Sequence, residues 1–345
     1  METTALSGTT MRAAVLYGKE DVRIERVPLP EVEPGGLLVR VHAALTCGTD
    51  VKVFRRGYHA KMIQPPALFG HEFAGVVEIG NARFHKGQRV VAANSAPCGE
   101  CFYCRRKREN LCDDLLFNNG AYAEFIRVPA RIAARNTYEI PEHASFQDAA
   151  LIEPLACALK GVDDSGVGAG DMVAVIGLGP LGMFLVKAAK LRHAYAIAIG
   201  RREEQIAHAM RMGADSGSFE NHRDAIGKLT NGRGADVVIE AVGTPETWQL
   251  AVELVRPGGT VNFFGGPPSG TRVEFDTHRL HYSEIACKAS FHHTPEYVRR
   301  ALDLVAAGKI SAREFVQREM PLEELPAVLR ELALKNASLK TAILP

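Results

Sequence analysis

No apolar run in this chain is long enough to cross a bilayer. The longest uncharged stretch, Met172 to Val186, falls short of the roughly 20 residues a span needs and is broken by Gly177, Gly179 and Pro180. No basic segment leads into an apolar one at the N-terminus, so a secretory signal is not expected. Charge imbalance is missing too. The formal net charge is +1, and no global field draws in nucleic acid or an anionic membrane. Internal repeats and low-complexity segments are absent. The seven cysteines do not read as a disulfide framework: four share metal-ligand spacing, and Cys47, Cys157 and Cys287 are scattered. That pattern fits a reducing, cytoplasmic setting.

What is present is an ordinary globular composition, 46% apolar and 23% charged, in 345 residues. That length exceeds one comfortable core and calls for two domains. Residues 1–10 are small and polar and read as a loose extension. Up to about residue 155 the chain is rich in short strand-like runs such as Leu37–Val41, Gly75–Ile79 and Arg89–Ala92, broken by Gly and Pro. This pattern predicts an antiparallel, barrel-like lobe. Near Asp171 the texture changes to strand–helix alternation. Strands are expected at 173–176, 194–199, 237–239, 261–264 and 285–289. Helices follow Gly179 and span 203–212, 247–255 and 294–307. Alternation of this kind makes a doubly wound parallel sheet of the α/β class. The tail is expected to return to the first lobe.

Cys98, Cys101, Cys104 and Cys112 are separated by two, two and seven residues. One loop can wrap four thiolates around a tetrahedral ion, and such a closed site leaves no vacancy for substrate. Structural zinc is therefore the expected occupant. A ferredoxin-type loop starts with the same spacing, but its last cysteine follows after three residues and precedes proline, whereas here Asp113 follows Cys112. A zinc ribbon would separate its cysteine pairs by a longer stretch. The basic run Arg105–Arg108 within this loop reads as a solvated surface.

Gly177-Leu178-Gly179-Pro180-Leu181-Gly182 lies between an apolar strand and an amphipathic helix. In that context the glycines read as a dinucleotide turn. Gly177 permits the turn, Gly179 the approach of a pyrophosphate, and Gly182 close helix–strand packing. The helix N-terminus offers N–H groups to the phosphates. At the end of the second strand, Gly200-Arg201-Arg202 replaces the acid that would accept from a ribose 2′-hydroxyl. Two guanidinium groups there favour a 2′-phosphate, and so NADP(H) over NAD(H). Val242 and Gly265, just past the 237–239 and 261–264 strands, complete the candidate coenzyme set.

Cys47-Gly48-Thr49-Asp50 and Gly70-His71-Glu72 offer a thiolate, an imidazole and a carboxylate, all good zinc ligands. With these motifs, the four-cysteine loop, Glu153-Pro154 and the glycine turn in this order, the chain resembles the zinc-dependent medium-chain alcohol dehydrogenases. The resemblance runs from about residue 11 to the end, and it is to the branch of sorbitol and threonine dehydrogenases.

The resemblance implies a GroES-like antiparallel β-barrel catalytic domain over residues 11–156 with a zinc lobe at 98–112. It implies a Rossmann coenzyme domain over 157–292 and a returning segment over 293–345. It implies that Cys47, His71 and Glu72 bind a catalytic zinc, with Glu153 reaching the ion directly or through water, while Cys157 belongs to the core. Thr49 would take the substrate proton, and Lys52 stands where many relatives end the relay with a histidine. The implied activity is NAD(P)-linked oxidation of a polyol or related secondary alcohol, or reduction of the ketone, by a cytoplasmic tetramer or dimer. An amino alcohol such as L-threonine or an aminocyclitol is the alternative substrate. A non-catalytic relative would be expected to lose Cys47, Thr49, His71 and Glu72, which are all present. A zinc-finger regulator would need a basic recognition surface, which the near-neutral charge disfavours.

Overall fold

The computed structural model describes residues 10–59, 61–335 and 339–345, and it separates into two compact units. One comprises Met1–Glu153 with Thr294–Pro345, and the other Pro154–His293. The first crossing falls at the start of the helix Ile152–Asp164, three residues before the expected boundary. Of the expected loose extension, residues 1–9 lie outside the described residues. Thr10 already opens the strand Thr10–Gly18, which forms a hairpin with Asp21–Pro28 that the sequence reading did not anticipate.

The larger unit is built on the strand Leu37–Leu45, buried at most positions because it takes partners on both sides and is covered on both faces. Phe73–Ile79 lies antiparallel on one side, followed by Arg89–Ala92 and Thr137–Glu139. On the other side lies Lys340–Leu344, with Ala342 opposite Leu45, so the C-terminal tail completes the sheet begun near the N-terminus. Phe54, Phe69, Phe73 and Tyr122 are its largest fully buried aromatic side chains, together with Phe315.

The second unit carries a six-stranded parallel sheet. Across it the strands run Ser216–Ser218, Tyr195–Ile199, Met172–Ile176, Ala235–Glu240, Val255–Phe263 and Ala286–Ala289. Numbered by sequence this is the order 3-2-1-4-5-6 of a dinucleotide fold. The central strands read as apolar runs because helices cover both faces. Two details depart from expectation. Val255, expected to end a helix, is extended at φ −78, ψ 144 and starts a strand, and the helix before it closes at Leu254. The helices His222–Leu229 and Thr277–Tyr282, short and polar, were not anticipated.

Close packing is tightest at Gly182, where an added Cβ would lie 1.8 Å from the Gly177 carbonyl oxygen. Gly182→Ala is expected to lower stability by about 1–3 kcal/mol through overpacking. Chemical denaturation checks this, and an unchanged midpoint would contradict the packing described.

Candidate functional site

The sheet register explains why residues far apart in sequence meet. Ala44 pairs with Phe73 in the antiparallel ladder, so the end of one strand lies beside the start of the next. Cys47 follows the first strand by two residues, and His71 precedes the second by two. Cys47, His71 and Glu72 present ligand atoms that all lie within 4.8 Å of one another. Cys47 is also the N-cap of the helix Gly48–Arg56, and its Sγ accepts from the Thr49 amide at 3.4 Å. That bond places Thr49 on the same turn as the sulfur.

Asp50 completes this capping box by accepting from the Cys47 amide at 3.0 Å through Oδ2. Its Oδ1 accepts from His71 Nδ1 at 3.0 Å, which fixes the ring and leaves Nε2 as the donor atom for a metal. Burial alone would lower the His71 pKa, but Asp50 and Cys47 outweigh it and raise it well above the ordinary value. Lys340 Nζ donates to both Glu72 oxygens, at 2.8 and 2.6 Å, and to the Thr46 carbonyl at 3.0 Å. The donor set suits a catalytic zinc with three protein ligands and one open position. Cys47 and His71 carry the fit most directly, because Glu72 shares both its oxygens with Lys340.

Glu153 is not part of that three-residue group. It is the second residue of its helix, 7% exposed, and its carboxyl is pushed up to about 7 by burial, with His71 opposing and Glu72 adding to the shift. Lys52 is exposed on the helix Gly48–Arg56. Cys157 is half-buried.

The four thiols of Cys98, Cys101, Cys104 and Cys112 also lie within 4.8 Å of one another. Cys98 Sγ and Cys104 Sγ are 3.9 Å apart. A tetrahedral ion with zinc–sulfur bonds of about 2.3 Å needs a sulfur separation of about 3.8 Å. Backbone amides of Glu100 and Cys101 donate to Cys98 Sγ, and that of Cys98 to Cys112 Sγ, which favours thiolates. Arg105, Arg106, Lys107 and Arg108 are exposed around this loop.

In the second unit, Gly177, Gly200, Val242 and Gly265 each follow the carboxyl end of a parallel strand. That edge is where doubly wound sheets bind ligands. Gly177 has φ +95, and Gly179 has open space where a Cβ would stand. Gly265 packs so tightly that a Cβ would come within 2.7 Å of the Val242 amide. The helix Pro180–Leu191 has no side-chain cap, and its first bond runs from the Met183 amide to the Gly179 carbonyl. The Leu181 and Gly182 amides are thus left without an intrahelical partner, suited to a pyrophosphate. Arg201 and Arg202 are exposed beside Gly200.

Residues 33–141 match the alcohol dehydrogenase GroES-like domain, and residues 180–307 match the zinc-binding dehydrogenase domain. The chain is 30% identical to an L-threonine 3-dehydrogenase of Bacillus licheniformis, covering 95% of this chain and 96% of that one. It belongs to the zinc-binding dehydrogenases. A sorbitol dehydrogenase of Bacillus subtilis is 29% identical over 97% of each chain. Among solved structures, a zinc-binding dehydrogenase from Sinorhizobium meliloti bound to NADP superposes with a TM-score of 0.88 at 33% identity, covering 98% of this chain and 100% of that one. The protein is accordingly an oxidoreductase with the GroES-like and Rossmann-type domains of that family. Among the described residues no helix is long and apolar enough to cross a membrane.

Three residues of this dehydrogenase's site escaped the sequence reading of roles. Asp50 stood inside a quoted motif, and its spacing of three from Cys47 is a capping-box signal. Tyr122, whose hydroxyl donates to Asp50 Oδ2 at 2.6 Å from the segment before the strand Phe125–Val128, and Lys340, at the start of the last strand, gave no local signal because their partners are distant in sequence. Removing Lys340 leaves a buried carboxylate without its counter-charge. Lys340→Met should therefore cost about 3–5 kcal/mol. Adding Glu72→Gln should recover much of that loss; denaturation of both variants checks the pair, and equal loss in the double variant would refute it.

Proposed function

We propose that this dehydrogenase interconverts a polyol or related secondary alcohol and its ketone, using zinc at Cys47 and His71 and a nicotinamide coenzyme in the Rossmann-type unit. The observation that carries this reading is the convergence of Cys47, His71 and Glu72 within 4.8 Å at the end of one sheet. The 29% identity to a sorbitol dehydrogenase, aligned over 97% of the chain, supports the substrate class. The 30% identity to L-threonine 3-dehydrogenase favours an amino alcohol as the second reading. A reducing, cytoplasmic setting is part of the proposal, supported by seven cysteines that form no disulfide. So is a dimer or tetramer, for which the exposed edge strand Ala286–Ala289 is suited.

Zinc makes a hydroxyl acidic near neutral pH, and the nicotinamide exchanges hydride; that is the chemistry the two groups supply when bound. The chain's own part is positioning and proton handling. Cys47 and His71 would hold the ion, with Asp50 fixing the imidazole and Lys340 holding Glu72 in place. Thr49, whose amide donates to the Cys47 sulfur, would accept the substrate hydroxyl proton at its own hydroxyl while passing that hydroxyl's proton on to water. Glu153, whose carboxyl burial pushes up to about 7, would lie near the ion and meet it directly or through water. In the coenzyme unit, the Leu181 and Gly182 amides would bind the pyrophosphate. Arg201 and Arg202 would hold a 2′-phosphate, a reading the NADP in the Sinorhizobium relative supports. A second zinc at Cys98, Cys101, Cys104 and Cys112 would keep its loop in shape.

Initial rates with sorbitol, inositol-type alcohols and L-threonine, each with both coenzymes, test the reading. A polyol should be oxidised fastest, with a several-fold preference for NADP, and Cys47→Ser or chelation should abolish turnover. Turnover that survives chelation would rule out the zinc role. Gly200→Asp should shift the coenzyme ratio toward NAD by about tenfold, since a charge-assisted bond is worth about 1.5–3 kcal/mol. An unchanged ratio would refute the 2′-site assignment.

A further inference from the structure

Tyr122 is fully buried, and its hydroxyl reaches two groups at the metal end of the sheet. It donates toward Asp50 Oδ2 at 2.6 Å and toward the Leu45 carbonyl at 3.1 Å. Asp50 is the carboxylate that fixes His71. The backbone around Tyr122 grips the same loop from below. The amides of Gly120 and Ala121 donate to the Gly70 carbonyl at 2.8 and 3.1 Å, and the Tyr122 amide donates to the Phe69 carbonyl at 3.0 Å. The ring itself lies directly under Gly70, where a Cβ would stand 2.5 Å from Tyr122 Cδ2. A glycine with φ +88 immediately before His71 is therefore what admits the phenol ring.

Packing alone would be served equally by phenylalanine. The hydroxyl adds a specific link to a carboxylate that already accepts from the Cys47 amide through the same oxygen. Asp50 thus joins the backbone of one candidate ligand, the ring of the other and the Tyr122 phenol. Burial and Asp50 push the phenol pKa well above its ordinary value, so the group remains a donor.

We propose that Tyr122 is a positioning residue for the metal held by Cys47 and His71, acting through Asp50 and not by contact with the ion. This rests on the reading of Cys47 and His71 as zinc ligands. Groups behind a metal-bound imidazole typically change metal affinity by about 10–100-fold when removed. Tyr122→Phe keeps the ring under Gly70 and deletes only the hydroxyl.

The test is zinc release from the full-length, zinc-loaded protein into excess chelator, followed colorimetrically. The unmodified chain should show two phases, one absent in Cys47→Ser and the other absent in Cys104→Ser. Tyr122→Phe should speed the Cys47-dependent phase by about tenfold or more and leave the Cys104-dependent phase unchanged. Val90→Ala, which removes buried volume from the strand Arg89–Ala92, serves as the stability control and should not change the ratio of the two rates. If the unmodified chain has no Cys47-dependent zinc, the ligand reading itself fails, and this inference with it. Should that phase exist and Tyr122→Phe release it at the original rate, the inference alone fails. It fails equally if both phases accelerate together, or if Val90→Ala reproduces the selective loss.

Discussion

The Lys340 ammonium, buried between the Glu72 carboxylate and the Thr46 carbonyl, is the contact on which the Cys47–His71 end of the larger unit depends. It joins the last strand of the chain to the turn after the strand Leu37–Leu45 and to the segment His71–Glu72. A buried pair of this kind adds little net stability compared with an apolar substitute, because desolvation offsets the attraction. What it does strongly is forbid alternatives. With the strand Lys340–Leu344 slipped by one residue, every side chain would exchange faces and two charges would be stranded in the core. Register, counter-charge and the geometry of the candidate ligands are therefore one constraint.

Around that constraint the site is arranged as overlapping links. Asp50 caps its own helix and at the same time holds His71, so the helix start cannot move without the imidazole. The Gly120–Tyr122 segment holds the loop before His71 by backbone bonds. Catalysis by positioning needs this rigidity, since reacting groups misplaced by an ångström lose much of their rate. The coenzyme unit meets a different requirement. Its glycines are there because backbone must approach backbone, as at Gly177 with Gly182 and at Gly243 with Gly265.

Much of this was legible before any coordinates. The four-cysteine spacing, the glycine turn and the alternation after Asp171 are local patterns, and each appears where the spacing put it. The Cys47 and His71 motifs were recognisable as candidate metal ligands by residue type and by resemblance, and the fold brings their ligand atoms within 4.8 Å of each other. Short polar elements were not legible. The helix His222–Leu229 contains Gly227, and only Ile226 is buried in it, so it carries almost no periodic signal. Val255 was misread because helix and strand meet there without an intervening turn residue.

The chain by itself therefore determined its family, its two-unit architecture and the residue types that could hold metal and coenzyme, since these are written in spacings of a few residues. Only the tertiary structure decided that Lys340 lies against Glu72 and that Tyr122 reaches Asp50. Those partners are 268 and 72 residues apart; strand pairing brings the first pair together, and backbone bonds from Tyr122 to Phe69 and from Ala14 to Tyr122 seat the second, neither of which a local pattern shows.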